Sequence, residues 1–301
     1  MANKFLIVIL GPTAVGKTSL AIDVAKEFST EIISADSRQF FQEMNIGTAK
    51  PSEDELKSIK HHFINSLSIH DDYNAGMFER DALNILSTIF QKKRVAVMVG
   101  GSGLYINAVC NGFDEIPEAH KEIRAEIMEK YKQEGIEYLR GTLKKLDEEH
   151  YKKIDLKNPH RLIRAIEVCM ITGKPYSEFR KEQKQRRNFT SIKIGLNMDR
   201  EKLYERINIR VDEMMKKGLL DEVKSLIKYK HLNSLQTVGY KELFDFIDGK
   251  TDLQKAVDLI KQNTRNFAKR QMTWFRKDKE IKWFDPSEKE KIIEHIQSII
   301  E

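Results

Sequence analysis

Six consecutive apolar residues, Phe5-Leu-Ile-Val-Ile-Leu10, run straight into Gly11-Pro-Thr-Ala-Val-Gly16-Lys17-Thr18. An apolar run without alternation is the pattern of a parallel strand covered on both faces. The octapeptide fits G-x-x-x-x-G-K-[ST] throughout and stands between that predicted strand and a helix predicted over Ser19–Phe28, the context that gives the motif meaning. In such a loop the backbone of Gly11, Pro12, Thr13, Ala14, Val15 and Gly16 curls around an anion, and the helix N-terminus adds its dipole. Lys17 supplies a point charge, and the Thr18 hydroxyl can ligate Mg²⁺. Any diphosphate suits this cradle, so the motif alone does not separate a kinase from an ATPase or another phosphate-binding enzyme.

The segments that follow alternate strand and helix. Glu31–Ser34 reads as a second strand, and Arg94–Val99 as a third that ends in Gly100-Gly101-Ser102-Gly103. This order predicts an α/β fold, a P-loop NTPase-like parallel sheet core whose ligands sit beyond the strand C-termini. From Pro117 the pattern changes to charged helices, for example Glu118–Glu134 and Arg161–Met170, until a further core strand at Ser191–Leu196. The organisation expected is a core of residues 1–116 and 191–301, with C-terminal helices, interrupted by a helical insertion at 117–190. Amphipathic helices are predicted over Arg200–Tyr229, Val238–Ile247 and Leu253–Arg276, punctuated by Gly218, Gly239 and Gly249. Phe179–Asn188 reads as a basic connector.

Composition narrows the class. With 301 residues and 40% hydrophobic side chains the chain can bury a large core, and no apolar run approaches the ~18–20 residues that span a bilayer. The N-terminal stretch has no small-residue cleavage site, so a cytoplasmic protein that meets no membrane is expected. Cys110 and Cys169 are the only cysteines, too few for a disulfide framework or a cysteine zinc site, and read as small hydrophobes. His61-His62 lacks metal-ligand companions at recognisable spacing. Charge is uneven: residues 1–119 carry 11 Lys and Arg against 15 Asp and Glu, whereas 120–301 carry 41 against 31. A basic half suggests a polyanion partner or a solvated lysine-rich surface. The basic clusters at 180–187 and 269–276 are the expected phosphate contacts. In the second of these, cations alternate with Trp274 and Phe275, which suits stacking on bases as well as packing in a core.

Asp36, in Ile33-Ser-Ala-Asp36-Ser37-Arg38-Gln39, falls just past the second strand on the ligand side of the sheet. From position alone it can be a Mg²⁺ ligand, a general base or a turn-capping residue.

Several further blocks accompany the phosphate loop. They are Asn45-Ile-Gly-Thr-Ala-Lys50-Pro51, Val99–Tyr105, Asn158-Pro-His-Arg161-Leu-Ile-Arg164-Ala-Ile-Glu167, Arg210-Val-Asp-Glu-Met, Gly218–Val223, Thr237–Lys241 and Lys269–Arg276. Together, over about residues 5–285, they resemble the tRNA dimethylallyltransferase (tRNA isopentenyltransferase) family in its compact bacterial form, without the C-terminal zinc finger of some eukaryotic relatives. The resemblance implies transfer of a dimethylallyl group from its diphosphate to N6 of the adenosine 3′ to certain anticodons (position 37), with Mg²⁺ as cofactor. The partners implied are dimethylallyl diphosphate and the anticodon stem-loop of tRNA, bound by a monomer, with the base extruded into a tunnel through the core. It implies that Gly11–Thr18 hold the donor diphosphate and Asp36 is the general base. Lys17, Thr18 and Arg210 would meet charge on the leaving group, with Thr18 on the metal. The tRNA contacts implied are Asp36, Ser37, Arg38, Gln39, Ser102, Arg124, His160, Arg161, Arg164, Gln236, Gly239, Tyr240, Lys241, Lys269, Arg270, Trp274 and Arg276.

Three other readings stay in view. An adenylate isopentenyltransferase shares the core but has no use for the basic second half. A small-molecule kinase would consume the γ-phosphate of ATP, and a non-catalytic RNA-binding protein would have no use for the phosphate loop or Asp36.

Overall fold

The computed structural model describes residues 3–114, 116–117, 120–180 and 185–301. Its strands are β1 (Phe5–Leu10), β2 (Ile32–Ser34), β3 (His61–His62), β4 (Val95–Gly100), β5 (Thr190–Leu196) and β6 (Lys282–Phe284). The helices up to β5 are α1 (Lys17–Glu27), α2 (Glu53–Ser58), α3 (Ala75–Ile89), α4 (Gly103–Asn111), α5 (Lys121–Glu134), α6 (Ile136–Leu146), α7 (Glu148–Lys153) and α8 (Pro159–Thr172). Beyond it come α9 (Arg200–Lys216), α10 (Leu219–Ser225), α11 (Tyr240–Ile247), α12 (Leu253–Phe275) and α13 (Lys289–Ile300).

All six strands are parallel, in the order β3-β2-β4-β1-β5-β6. β1 lies in the middle, with Phe5 opposite Val95 of β4 on one side and Thr190 of β5 on the other. Its side chains explain why it is apolar throughout. Phe5, Ile7 and Ile9 pack on one face against Leu20, Ala21 and Val24 of α1 and Ile292 and Ile296 of α13, and Leu6, Val8 and Leu10 on the other against Phe78, Ala82 and Leu86 of α3. Burial on both faces, at roughly 1.5–3 kcal/mol for each large side chain, commits this strand to the centre. β5 is the exception within the core, carrying the buried Lys193 in mid-strand. Its ammonium is matched by Asp278 and Glu280, each at 2.7 Å.

Because the strands point the same way, the loops after β2, β4 and β1 emerge at one edge. There the backbones come close together. A Cβ on Gly11 would lie 2.6 Å from the Leu196 carbonyl oxygen, and φ of +147° at this position is itself a glycine conformation.

The remaining core lies under the C-terminal helices, where Leu219, Val223, Tyr240, Leu243, Phe244 and Ile260 enclose Phe41 and Met44. The helix expected over Arg200–Tyr229 is interrupted at Gly218, whose φ of +96° starts α10 in a new direction. The sequence reading named neither the short elements β3, β6 and α2, whose Ser52 and Glu55 form a capping box, nor the helices α3, α4 and α13. Cys110 and Cys169 are buried.

Residues 3–110 with 187–301 form one compact unit, and Asn111–Arg186 form a second. The boundaries lie a few residues earlier than the expected 117–190. Among its described residues the second unit contains helices and no strand, and it is built around Ile127, Leu139, Leu143, Leu162 and Ile166. Among the described residues no helix is long and apolar enough to cross a membrane.

Candidate active site

The phosphate loop takes its shape from left-handed backbone at Ala14 (φ +64°) and Gly16 (φ +106°), after which α1 begins at Lys17. No side chain caps α1, so its first-turn N–H groups are left for an anion. Lys17 Nζ donates to the Pro12 carbonyl at 2.7 Å.

Asp36 follows β2, and its Oδ1 accepts the Arg38 N–H at 3.0 Å. Three cations share its field. Burial pulls Lys17 down to about 8, with Asp36 opposing and Arg210 reinforcing the shift. Burial also lowers Arg210 and Arg38, again against the pull of Asp36. Asp36, Lys17 and Arg210 therefore form one electrostatic unit, although Arg210 comes from the far half of the chain. The loop after β4 braces this group: Ser102 Oγ accepts the Ser37 N–H at 3.0 Å and lies 3.3 Å from the Ser37 hydroxyl.

A cleft of about 790 Å³ opens beside the loop between Ala14, the 45–51 segment and α9, with Lys50, Arg206, Arg210, Ile209 and Met214 on its walls. One carboxylate holds the 45–51 wall in place. Glu222 accepts the backbone N–H groups of Asn45, Ile46 and Gly47 at 2.7–3.0 Å and the Tyr240 hydroxyl at 2.6 Å. Lys50 Nζ donates to Phe41 O at 2.6 Å and Asn45 Oδ1 at 2.9 Å, and burial lowers it to about 8 against the attraction of Glu222 and Glu43. Sequence reasoning missed Glu222, Lys50 and Arg206 as site residues. Glu222 and Lys50 stand inside the blocks that carry the family resemblance, but nothing in a one-dimensional pattern says that a carboxylate at 222 meets amides at 45–47.

The residues with an expected RNA role divide sharply. Lys269, Arg270, Trp274 and Arg276 are exposed at the C-terminal end of α12, whereas Phe275 is buried in the core. The Trp274 ring lies over Gly103, where an added Cβ would come within 2.3 Å of it. Lys241 and Gln236 are exposed, the latter donating to the Lys230 carbonyl at 2.6 Å. Arg38 is occupied by the carbonyls of Asn233 and Ser234 at 3.3 and 3.1 Å, and Gln39 by those of Thr48 and Ala49 at 3.3 and 3.2 Å. In the helical unit His160 and Arg161 are exposed at the start of α8, while Arg124 and Arg164 pair with the fully buried Glu167 at 3.4 and 2.8 Å.

Three expectations need correction. Tyr240 is fully buried with its hydroxyl committed to Glu222, so it braces the cleft wall and presents nothing to RNA. Gly239 is buried as well, its N–H donated to Glu242. Arg187, expected in a basic connector that meets phosphate, is instead a core anchor. It pairs with Glu79 and donates to the carbonyls of Val109 and Ala108 at 2.9 and 2.7 Å, with its side chain 11% exposed. The connector residues 181–184 lie outside the described residues. Arg187→Ala accordingly destabilises the protein by about 3–5 kcal/mol, because Glu79 is left buried without its partner. Urea unfolding checks this, and the salt dependence of RNA binding should stay at the wild-type slope.

Among the described residues no group of three or more His, Cys, Asp and Glu side chains could hold a metal ion. His62 bonds Glu31 at 2.6 Å, and His61 Nδ1 bonds the Ile59 carbonyl. Mg²⁺ does not require such a cage when a bound diphosphate supplies most of its oxygens, and one hydroxyl at the helix start fits that donor set. Thr18 is in that position.

A phosphate-binding loop at the centre of a parallel sheet, with a carboxylate and two partly buried cations beside it, defines a P-loop enzyme fold. The family model of IPP transferases matches residues 39–278. The tRNA dimethylallyltransferase of Christiangramia forsetii is 56% identical over 299 residues, 99% of each chain. The solved structure of the Bacillus halodurans tRNA isopentenylpyrophosphate transferase is 35% identical with TM-score 0.74, covering 99% of this chain and 97% of that one. A eukaryotic dimethylallyltransferase acting on tRNA superposes with TM-score 0.80 at 28% identity, covering 94% of this chain and 74% of its own. The chain belongs to the tRNA dimethylallyltransferase family.

Proposed function

We propose that this enzyme transfers the dimethylallyl group of dimethylallyl diphosphate to N6 of the adenosine at position 37 of tRNA, releasing diphosphate, with Asp36 as the proton acceptor. The observation that carries the assignment of roles is that Arg210 and Ala14 of the phosphate loop line one cleft beside the uncapped start of α1, with Asp36 attracting both Lys17 and Arg210. N6 of adenine is a weak nucleophile. As the new C–N bond forms, the allylic C–O bond breaks, the N6 proton passes to the Asp36 carboxylate, and negative charge collects on the departing diphosphate. The free N–H groups of α1, Lys17 and Arg210 receive that charge. Thr18 would hold Mg²⁺, which when bound supplies further positive charge to the leaving group.

RNA is gripped by the basic surfaces. The exposed Lys269, Arg270, Trp274 and Arg276 of the α12 segment, with Arg161 and the imidazole of His160 in the helical unit, offer cations and hydrogen bonds for phosphates and an indole for an unstacked base. The enzyme acts as a cytoplasmic monomer in this reading. Lys269→Ala/Arg270→Ala should flatten the log–log salt dependence of anticodon stem-loop binding by about 0.7–0.9 for each phosphate the variant no longer neutralises. Filter binding across a salt series measures it.

The direct test is mass analysis of tRNA incubated with the protein, Mg²⁺ and dimethylallyl diphosphate, without ATP. A gain of one dimethylallyl group on adenosine is expected. Unmodified tRNA, or modification only of free adenine nucleotide, overturns the reading.

A further inference from the structure

One polar side chain in the core is not used by the chemistry above. Ala268, Gln271 and Phe275 recur at spacings of three and four residues and form the inward stripe of α12, exposed by 1%, 7% and 3%. Burying an amide among apolar neighbours is costly unless both ends are bonded. In Gln271 both are: Oε1 accepts the Thr13 N–H at 2.9 Å, and Nε2 donates to the Gly101 carbonyl at 3.0 Å. The partners fix the orientation of the amide, since a backbone N–H can only donate and a carbonyl only accept. The approach is close on the second side, where a Cβ on Gly101 would meet the Gln271 amide nitrogen at 2.2 Å.

Of the two loops joined in this way, one is the phosphate cradle and the other braces the separate loop that carries Asp36. Thr13 belongs to the phosphate loop. Gly101 precedes Ser102, whose hydroxyl accepts the Ser37 N–H beside Asp36. The connection therefore runs from the phosphate cradle through Gln271 to Gly101, along the backbone to Ser102, and by its hydroxyl to the loop that carries the base. On the outer side of the same stretch of α12, Arg270 and Trp274 are exposed.

We infer that Gln271 is a positioning residue that sets the spacing between the diphosphate cradle and Asp36, acting through the two loops and touching neither substrate. The inference rests on the prenyl-transfer reading. A misplacement of about 1 Å between reacting groups costs roughly 100-fold in rate, so a bridge that fixes this spacing should appear in the chemical step.

The test uses the full-length enzyme with Gln271→Met, which keeps the side-chain length and removes both bonds, and Gln271→Glu, which keeps acceptance from Thr13 and sets a carboxylate oxygen against the Gly101 carbonyl. Single-turnover prenyl transfer to an anticodon stem-loop, with enzyme and donor in excess, separates a rate from an amplitude. Expected are rate constants lowered by about 10²-fold in Gln271→Met and by at least about tenfold in Gln271→Glu, at full amplitude and with unchanged stem-loop affinity. A wild-type rate constant in either variant overturns the bridge. So does a lowered amplitude at the wild-type rate, which would mark Gln271 as a residue needed only for folding. If the wild-type enzyme transfers no prenyl group, the prenylation reading fails and the bridge is judged on hydrogen exchange at the Thr13 amide. Faster exchange in Gln271→Met supports it, and unchanged exchange overturns it.

Discussion

Asp36→Asn lowers the single-turnover rate of prenyl transfer by about 10²–10⁴-fold, the range set by loss of a general base, while the donor still binds and the fold is retained. The asparagine variant isolates the proton transfer, because its Oδ1 can still accept the Arg38 N–H that shapes the turn. Asp36→Ala gives up that hydrogen bond as well and should be no faster. Rapid-quench kinetics with a stem-loop substrate measure the rate, and donor titration by calorimetry checks that binding survives. A rate within a few-fold of wild type would remove Asp36 from the mechanism.

The second large effect belongs to Lys17. Lys17→Met should lower the rate by about 10²–10³-fold, since it removes a cation aimed at charge that develops on the leaving diphosphate. The pH dependence gives an independent check. In the donor-free enzyme Lys17 titrates at about 8, so below that pH it is charged and ready, and above it donor binding must first take up a proton. Donor affinity through Lys17 should therefore be flat below about pH 8 and weaken as pH rises beyond it, and this bend should vanish in Lys17→Met. Stability runs the other way. An ammonium whose pKa is lowered on folding costs stability while protonated, and the cost fades between about 8 and the unfolded value of 10.5. Near neutral pH the methionine variant should thus melt at a higher temperature than the wild type while being far less active. Thr18→Ala should blunt the response to added Mg²⁺ in the same assay.

Much of this is legible along the chain. The apolar run of β1 and the glycine-lysine motif behind it dictate a buried parallel strand and an anion cradle, because both are local patterns with local causes. The place of Asp36 follows from counting two residues past Ser34, the end of the second strand. The bounds of the helical unit emerge to within a few residues from the change in charge pattern at Pro117. Pairings between distant positions are not legible. Tyr240 and Arg187 carry polar groups in segments that look like surface, and only packing shows that one hydroxyl faces Glu222 and one guanidinium faces Glu79.

The sequence alone determined the fold class, the phosphate loop and the blocks that mark the family, since each depends on residues a few positions apart whose spacing is enforced by strand and helix periodicity. Only the tertiary structure decided how the site is held. Glu222 gathers the amides of 45–47, and Gln271 spans the loops at Thr13 and Gly101, bringing together residues from opposite halves of the chain. Such partners are chosen by where the sheet edge and the C-terminal helices bring buried polar groups together. The cost of leaving those groups unpaired then makes the pairing specific, and no periodicity in the chain records it.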